Sequence, residues 1–254
     1  IWGSLVARHQ IKVGKHEEPQ DAVERHFNVL FPVHTMQVDP SIHEVTAVAV
    51  PLSSDKDSGD VYEDFRVQGK KLLSKNALTK LARAAGCEWL HEQCGLTPVS
   101  THMPYTAIGQ PPPPELRHDI AHKAVLLVPV GPDQFQAVPG MAEWIAEDEL
   151  DECRNIYRRQ MNSGRLTADR GEAKEDACER KAQEMLQGLR RRRKGMVESK
   201  AMLRAIRHGL HIKSAYSDAE LKKAFVVVRI RNRQTLTPAS MLYGERAVDT
   251  TWTP

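Results

Sequence analysis

The residues of this sequence best suited to do chemistry are the regularly spaced cations of segment 198–210. If the segment is helical, four basic residues fall within about 60° of one another around the axis: Lys200, Arg204, Arg207 and His211. Three apolar residues form a stripe about 90° away: Leu203, Ile206 and Leu210. The spacing therefore predicts a helix that packs through one face and presents an adjacent cationic face suited to a phosphate backbone.

The charge of the chain is unevenly distributed. Over 254 residues, 36 Lys and Arg stand against 33 Asp and Glu, a net charge of +3. Segment 190–233 alone holds 14 Lys and Arg and three acidic residues, so it carries +11 and the remainder −8. Such a separation indicates a polyanionic partner, most commonly nucleic acid. For the run 190–194, a solvated helix face or a localisation cluster is an open alternative.

Periodicity and turn residues predict the elements that position these cations. Helices are expected at 21–30, 74–86, 142–161, 172–189, 196–210 and 218–224. Strands are expected at 44–51, 121–130, 134–138 and 225–230. Ser74 or Asn76 should cap the second helix and Gly86 should end it, while Gly195 should interrupt the long basic helical region. The sequence thus predicts a mixed α and β fold.

The domain organisation follows from composition. We expect an N-terminal arm at 1–20, one domain at 21–235 and a C-terminal tail at 236–254. The proline-rich stretch 104–114 is interpreted as a loop within the domain, because the apolar strand that follows needs sheet neighbours. Apolar residues make up 41% of the chain and charged residues 27%, which excludes wholesale disorder. The sequence contains no run of 18 or more apolar residues, so it predicts no membrane-spanning helix.

Enzyme and metal motifs are weak or absent. The sequence contains no P-loop, dinucleotide fingerprint, H-E-x-x-H or G-x-S-x-G motif. The sequence offers three weak sets of metal ligands: Cys87, His91, Cys94 and His102; Asp148, Asp151 and Glu152; and His118 with His122. The first set lacks a usual zinc spacing, the acidic residues fall on a charged helix face, and the i,i+4 pair of histidines could chelate a metal but has no third ligand in view. The cysteines, including Cys153 and Cys178, are expected to be free thiols. The sequence therefore predicts neither a metal nor another cofactor.

Three segments resemble phage-type single-strand annealing proteins of the RecT/Redβ superfamily. The strongest is ESKAMLRAIRHGLHIKSAYSDAELKKAFVVVRI at 198–230. The segment KKLLSKNALTKLARAAG at 70–86 is similar to a helix of that family, and VPGMAEW at 138–144 is similar to its strand and turn before the central helix. The matches reach from about residue 21 to 233. The stretch 89–118 departs from the hairpin expected there.

The resemblance implies an α+β fold in which a small curved antiparallel sheet packs against several helices and a basic C-terminal helix lines a DNA groove. It implies an ATP-independent protein, not an enzyme, that binds single-stranded DNA and anneals complementary strands during homologous recombination and repair. Such proteins work as homo-oligomeric rings or helical filaments on single strands and annealed duplex intermediates. The resemblance further implies a cytoplasmic protein of a bacterial host, either cellular or phage-encoded, with an exonuclease or single-strand binding protein as a partner and no membrane.

The resemblance also assigns candidate DNA contacts. The expected backbone contacts are Lys200, Arg204, Arg207, His211, Lys213, Lys222, Lys223, Arg229 and Arg231, with diffuse attraction from Arg190, Arg191, Arg192 and Arg193. Tyr216 is a candidate for stacking on a base, whereas Phe225 opens an apolar strand and is assigned to the core.

Two other function classes stay open. A non-enzymatic RNA-binding or assembly protein would use the same basic face on RNA or on an acidic protein. A nuclease would use Asp148, Asp151 and Glu152 to hold a divalent metal and would degrade the strands.

Overall fold

The first half of the chain builds two small sheets and a capped helix. A computed structural model describes residues 2–30, 42–63, 69–131, 134–169 and 171–232. The elements of this half are α1 (Trp2–Arg8), α2 (Pro19–His26), β1 (Phe27–Leu30), β2 (His43–Val50), β3 (Val61–Glu63), β4 (Lys71–Leu73), α3 (Lys75–Ala85), β5 (Glu88–Trp89), β6 (Gly95–Thr97) and α4 (Met103–Ala107).

The second half supplies the longest elements. They are β7 (Ile120–Gly131), β8 (Gln134–Trp144), α5 (Ala146–Asn162), α6 (Lys174–Gly209), α7 (Asp218–Leu221) and β9 (Ala224–Asn232). Helix α6 has 36 residues and is about 54 Å long at 1.5 Å per residue.

The described strands form three sheets. In the first sheet β9 lies between β1, which is parallel to it, and β2, which is antiparallel. The second is the antiparallel ribbon of β3 and β4. In the third sheet β7 pairs with β8 on one side and with β5 and β6 on the other. The predicted α+β class is confirmed, but the strands divide among several small sheets and one pairing is parallel.

Helix α3 forms where its sequence predicts. The Ser74 hydroxyl accepts a hydrogen bond from the Ala77 backbone N–H, which satisfies one free donor of the first turn. Gly86 ends the helix at φ 74°, in the left-handed region that favours glycine. The whole apolar side of the helix is buried: Ala77, Leu78, Leu81, Ala82 and Ala85.

Helix α6 lies against the hairpin of β7 and β8 through a row of small residues. Ala201, Ala205 and Gly209 repeat every four residues and are buried. A Cβ added to Gly140 on β8 would overlap the backbone of Ala201 and Ala205. A Cβ added to Gly209 would come within 2.7 Å of Val128 on β7. The two backbones therefore approach more closely than ordinary side chains would allow.

Two hydrophobic clusters share α6. The larger gathers α3, β9 and the end of α6, and includes Leu81, Phe225 and Ile206. The other lies beneath α5 and α6 and includes Trp144 and Val197. The predicted core position of Phe225 is confirmed. Because α6 contributes side chains to both clusters, it fixes the position of one relative to the other.

Polar contacts fix the position of α5 beside α6 and also determine where α5 begins. The Arg154 guanidinium donates two hydrogen bonds to the Glu179 carboxylate, at 2.7 and 2.9 Å. The buried Asp119 carboxylate accepts from the Ala146 N–H at 2.9 Å, at the start of α5, and from the Thr101 hydroxyl at 2.8 Å. Asp119 thus caps α5 from outside the helix.

Three local predictions are wrong because tertiary contacts decide the conformation. Residues 27–30 are strand β1, not the end of a helix, since they pair with β9. Pro139 and Gly140 do not end β8, which pairs with β7 along its length and whose outer edge accommodates a proline. Gly195 does not interrupt α6, because packing on both sides of it offsets the roughly 1 kcal/mol that a helical glycine costs.

Several other bounds differ from the expected ones. Residues 142–144 are the end of β8 and α5 begins only at Ala146, part of the expected loop 104–114 is helical as α4, and α7 ends at Leu221. Part of the expected N-terminal arm is helical, as α1. The predicted tail at 236–254 falls outside the described residues. Among the described helices, none combines the length and the apolar character needed to cross a membrane.

The close approach at Gly140 predicts a large effect of a single methyl group. Gly140→Ala should destabilise the protein by about 1–3 kcal/mol, because the added methyl must push α6 off the hairpin. Gly188→Ala is the control, since its added methyl would meet no atom within 4 Å and alanine suits a helix interior better. Chemical denaturation should therefore show opposite signs for the two variants, and equal midpoints would contradict the packing described.

Candidate nucleic-acid interface

The exposed surface of α6 carries five of the fourteen predicted contacts. Arg191, Arg192, Lys200 and Arg204 are exposed and Arg207 is half-buried. We call these five residues the α6 basic face. Ile206 and Leu210 of the predicted apolar stripe are buried and Leu203 is partly buried, so the expected amphipathic arrangement is confirmed.

One side of the α6 basic face borders α5 and β8. The Lys200 ammonium lies 3.5 Å from the Glu149 carboxylate on α5. The Arg204 guanidinium donates to the Met141 carbonyl of β8 at 2.6 Å. Both cations keep exposed surface while their side chains are held in place, which lowers the entropy cost of contacting a ligand.

The opposite side borders α3 and β4. The Arg207 guanidinium donates to the Leu73 carbonyl, at the end of β4, at 3.4 Å. The Lys75 ammonium, at the start of α3, donates to the Ser199 hydroxyl at 3.2 Å. Lys75 therefore adds a cation beside the α6 basic face. Sequence reasoning missed it, because nothing in the segment around Lys75 indicates that this end of α3 meets α6.

A surface pocket of about 620 Å³ lies on the same helix. It is lined by Arg191, Arg192, Gly195, Met196, Ser199 and Lys200. Within the described chain, Arg191, Arg192 and neighbouring Lys194 make no ion pair with an acidic side chain. Their charge is therefore uncompensated and available to an anion.

The two other arginines of the basic run are less exposed. Arg190 and Arg193 are half-buried, and the Arg193 guanidinium donates to the Arg190 carbonyl at 2.6 Å. The run is thus divided: the side chains of Arg191 and Arg192 are exposed to solvent, whereas those of Arg190 and Arg193 are partly covered.

The predicted contacts beyond α6 belong to other surfaces. Lys213 pairs with Glu220 at 2.9 Å, and Lys223 donates to the Glu24 carbonyl of α2 at 2.7 Å. Arg229 donates to the Arg83 carbonyl at 3.0 Å, where a cation favourably meets the C-terminal end of α3. These three cations stabilise the fold, and the structure does not bring them onto the α6 basic face.

Three further predicted contacts have simpler positions. Lys222 is exposed after α7. His211 is exposed just past the end of α6, at a φ of 52°. Arg231 lies on β9 opposite Glu44, and its side chain is outside the described part of the structure.

The prediction of Tyr216 as a stacking residue is wrong, because the side chain is only 2% exposed. Its ring packs edge-on against Phe225, with centroids 5.3 Å apart. Burial raises the pKa of the Tyr216 phenol to about 12. Tyr216 belongs to the core and is not accessible to a base.

The weak metal sets find no support in the described residues, where no three His, Cys, Asp or Glu side chains are grouped to hold an ion. His102 Nε2 lies 2.7 Å from the Leu116 carbonyl, and the Cys94 thiol contacts the Leu90 carbonyl at 3.2 Å. Asp151 pairs with Arg154 at 2.8 Å. These side chains are thus engaged in the fold.

Comparisons of the chain with models of protein families, with curated proteins and with solved structures find no match.

The ion pair between Glu220 and Lys213 leads us to expect that part of the stability of the protein depends on pH. The Ser217 backbone N–H and then the Lys213 ammonium lower the pKa of the Glu220 carboxyl from 4.5 to about 2. A lowered pKa stabilises the folded state above pH 4.5, and this contribution is lost as the pH falls toward 2. Glu220→Gln should therefore be less stable than the wild type at pH 7, and the difference should shrink between pH 4.5 and 2.

Urea unfolding at several pH values measures this difference in free energy. Glu198→Gln is the matched control, since within the described residues the exposed Glu198 carboxylate makes no ion pair or hydrogen bond. A Glu220→Gln difference that stays constant with pH would contradict the role assigned to the carboxylate.

Proposed function

We propose that this protein binds single-stranded DNA along the α6 basic face and anneals complementary strands without nucleotide hydrolysis. The observation that carries the proposal is the group of exposed cations on one long helix, of which Arg191 and Arg192 make no ion pair within the described residues. Neutralising phosphates releases bound counterions, so such a face favours a nucleic-acid backbone over a small anion.

The flanking elements support an extended ligand. Lys75 extends the cationic surface toward α3, and Arg204 extends it toward β8. Arg191 lies 13 residues before Arg204 on α6, about 20 Å along the axis at 1.5 Å per residue and about 140° around it at 3.6 residues per turn, so a bound strand would wrap partly around the helix. A surface of this length suits several consecutive phosphates of one strand.

The resemblance to strand-annealing proteins favours DNA annealing among the functions open to a polyanion-binding protein. Its three segments correspond to β4 with the whole of α3, the end of β8, and the region from the C-terminal third of α6 to β9. Annealing is downhill, so it needs phosphates neutralised and bases held accessible but no ATP. The absence of a P-loop motif from the sequence is consistent with this mechanism.

The decisive test mixes two complementary fluorescent oligonucleotides with the protein, without nucleotide and in the presence of a metal chelator. We expect duplex to form faster than in the protein-free control, with both strands intact on a denaturing gel. Strand binding without faster pairing, or a preference for RNA over DNA, would favour the RNA-binding or assembly function. Strands shortened when Mg²⁺ replaces the chelator would favour a nuclease.

The residues that carry the charge can be tested separately. Replacing Arg191 and Arg192 with alanine should weaken binding to a thymidine oligonucleotide. It should also reduce the slope of log affinity against log salt by about 1.4, since each phosphate contact on a single strand contributes about 0.7. Folding should survive, because both side chains are exposed and outside the clusters.

The matched control removes the same charge elsewhere. Lys12 and Lys15 are exposed and lie before α2, away from α6 in the chain. The double variant Lys12→Ala and Lys15→Ala should leave the salt slope unchanged. If both double variants lost equal affinity and salt slope, binding would depend on the net charge of the protein, and a site on α6 would be contradicted.

A further inference from the structure

Cations alone leave the bases of a bound single strand without a partner. Proteins of this kind combine a basic surface with exposed aromatic side chains on which bases stack. Tyr216 is buried and cannot stack on a base, so this role requires an exposed aromatic residue near the α6 basic face.

Tyr62 meets this requirement. It lies on β3 opposite Leu72 of β4, and 45% of its surface is exposed. Its neighbours Val61 and Leu73 are buried at 3% and 2%. Side chains alternate between the two faces of a strand, so the Tyr62 ring lies on the outer face of the ribbon.

The ribbon is attached to the α6 basic face. Arg207 donates to the carbonyl of Leu73, the residue next to the Leu72 that faces Tyr62. Two exposed lysines bracket the same short strand, with Lys70 just before β4 and Lys75 just after Ser74. Tyr62 thus projects from a two-stranded ribbon whose other strand is flanked by Lys70 and Lys75 and accepts a hydrogen bond from Arg207, and single-strand binding surfaces combine aromatic and cationic side chains in this way.

We propose that Tyr62 stacks on a base of a single strand whose phosphates lie on the α6 basic face and on Lys75. This inference rests on the proposed function and adds the residue that distinguishes a strand with bases from a bare polyanion. Stacking on one aromatic ring is tolerant of sequence, because every base has a flat face.

The test compares two ligands that share a phosphate backbone: a fluorescent thymidine oligonucleotide and an oligomer of equal length made of abasic sites. Tyr62→Ala should bind the thymidine strand about tenfold more weakly, at the lower end of what aromatic stacking contributes. Its affinity for the abasic strand and its salt slope should equal those of the wild type. Tyr62→Phe, which keeps the ring, should bind both strands as the wild type does.

Phe135→Ala is the matched control. Phe135 is 50% exposed but lies six residues from Met141 along β8, about 20 Å at the usual rise of a strand. Removing its ring should leave both affinities unchanged. Circular dichroism and thermal unfolding should confirm that all three variants are folded, as their exposure indicates.

The outcomes separate the two proposals. If the wild type binds neither strand, the proposed function fails and the stacking role fails with it. If the wild type binds the thymidine strand and Tyr62→Ala binds it equally well, or weakens both strands equally, the stacking role alone is overturned. A loss confined to the strand that carries bases supports it.

Discussion

The close contact between α6 and the hairpin of β7 and β8 is the constraint on which the rest of the structure depends. Gly140 leaves room for the backbone of Ala201 and Ala205, and Gly209 leaves room for Val128. This row of small residues sets the rotation of α6 about its axis, because only that side fits against the sheet. The rotation in turn directs Lys200, Arg204 and Arg207 away from the hairpin core. Packing at a few small side chains therefore decides where the positive charge is displayed.

The structure also divides the basic segment into cations that hold the fold together and cations that are available to a ligand. Lys213, Lys223 and Arg229 bond to a carboxylate or to backbone carbonyls of neighbouring elements. Arg191 and Arg192 make no ion pair within the described chain. A count of charges along the sequence treats all of these alike. Only the fold shows that the surplus is concentrated on α6, where a neighbouring helix adds Lys75 to it.

Sequence reasoning succeeded where local chemistry decides the conformation. Ser74 and Gly86 bound α3 as their side chains dictate, and the apolar run of β9 is a central strand. It failed where distant partners decide: residues 27–30 pair with β9, and Gly195 is carried by a helix anchored on both sides. The candidate site follows the same rule. The helical spacing of Lys200, Arg204 and Arg207 places them on one face. The contact of Lys75 with Ser199 could not be predicted in this way, because it joins elements more than 100 residues apart. The burial of Tyr216 depends on packing that no local pattern encodes.

The position of β9 at the centre of the first sheet has a consequence for how the chain matures during synthesis. β1 and β2 leave the ribosome early, yet the strand that joins them is among the last residues that the structure describes. The Asn28 side chain must likewise wait for the carbonyl of Glu220, 192 residues later. Until translation reaches β9, both early strands lack the one partner that they have within the described residues, which leaves their edges open to association with other chains. Contacts of such long range also slow folding. A chain released by a ribosome that stalls before β9 would therefore lack the first sheet and expose the edges of β1 and β2. Synthesis of β9 is thus the step that allows this sheet to form.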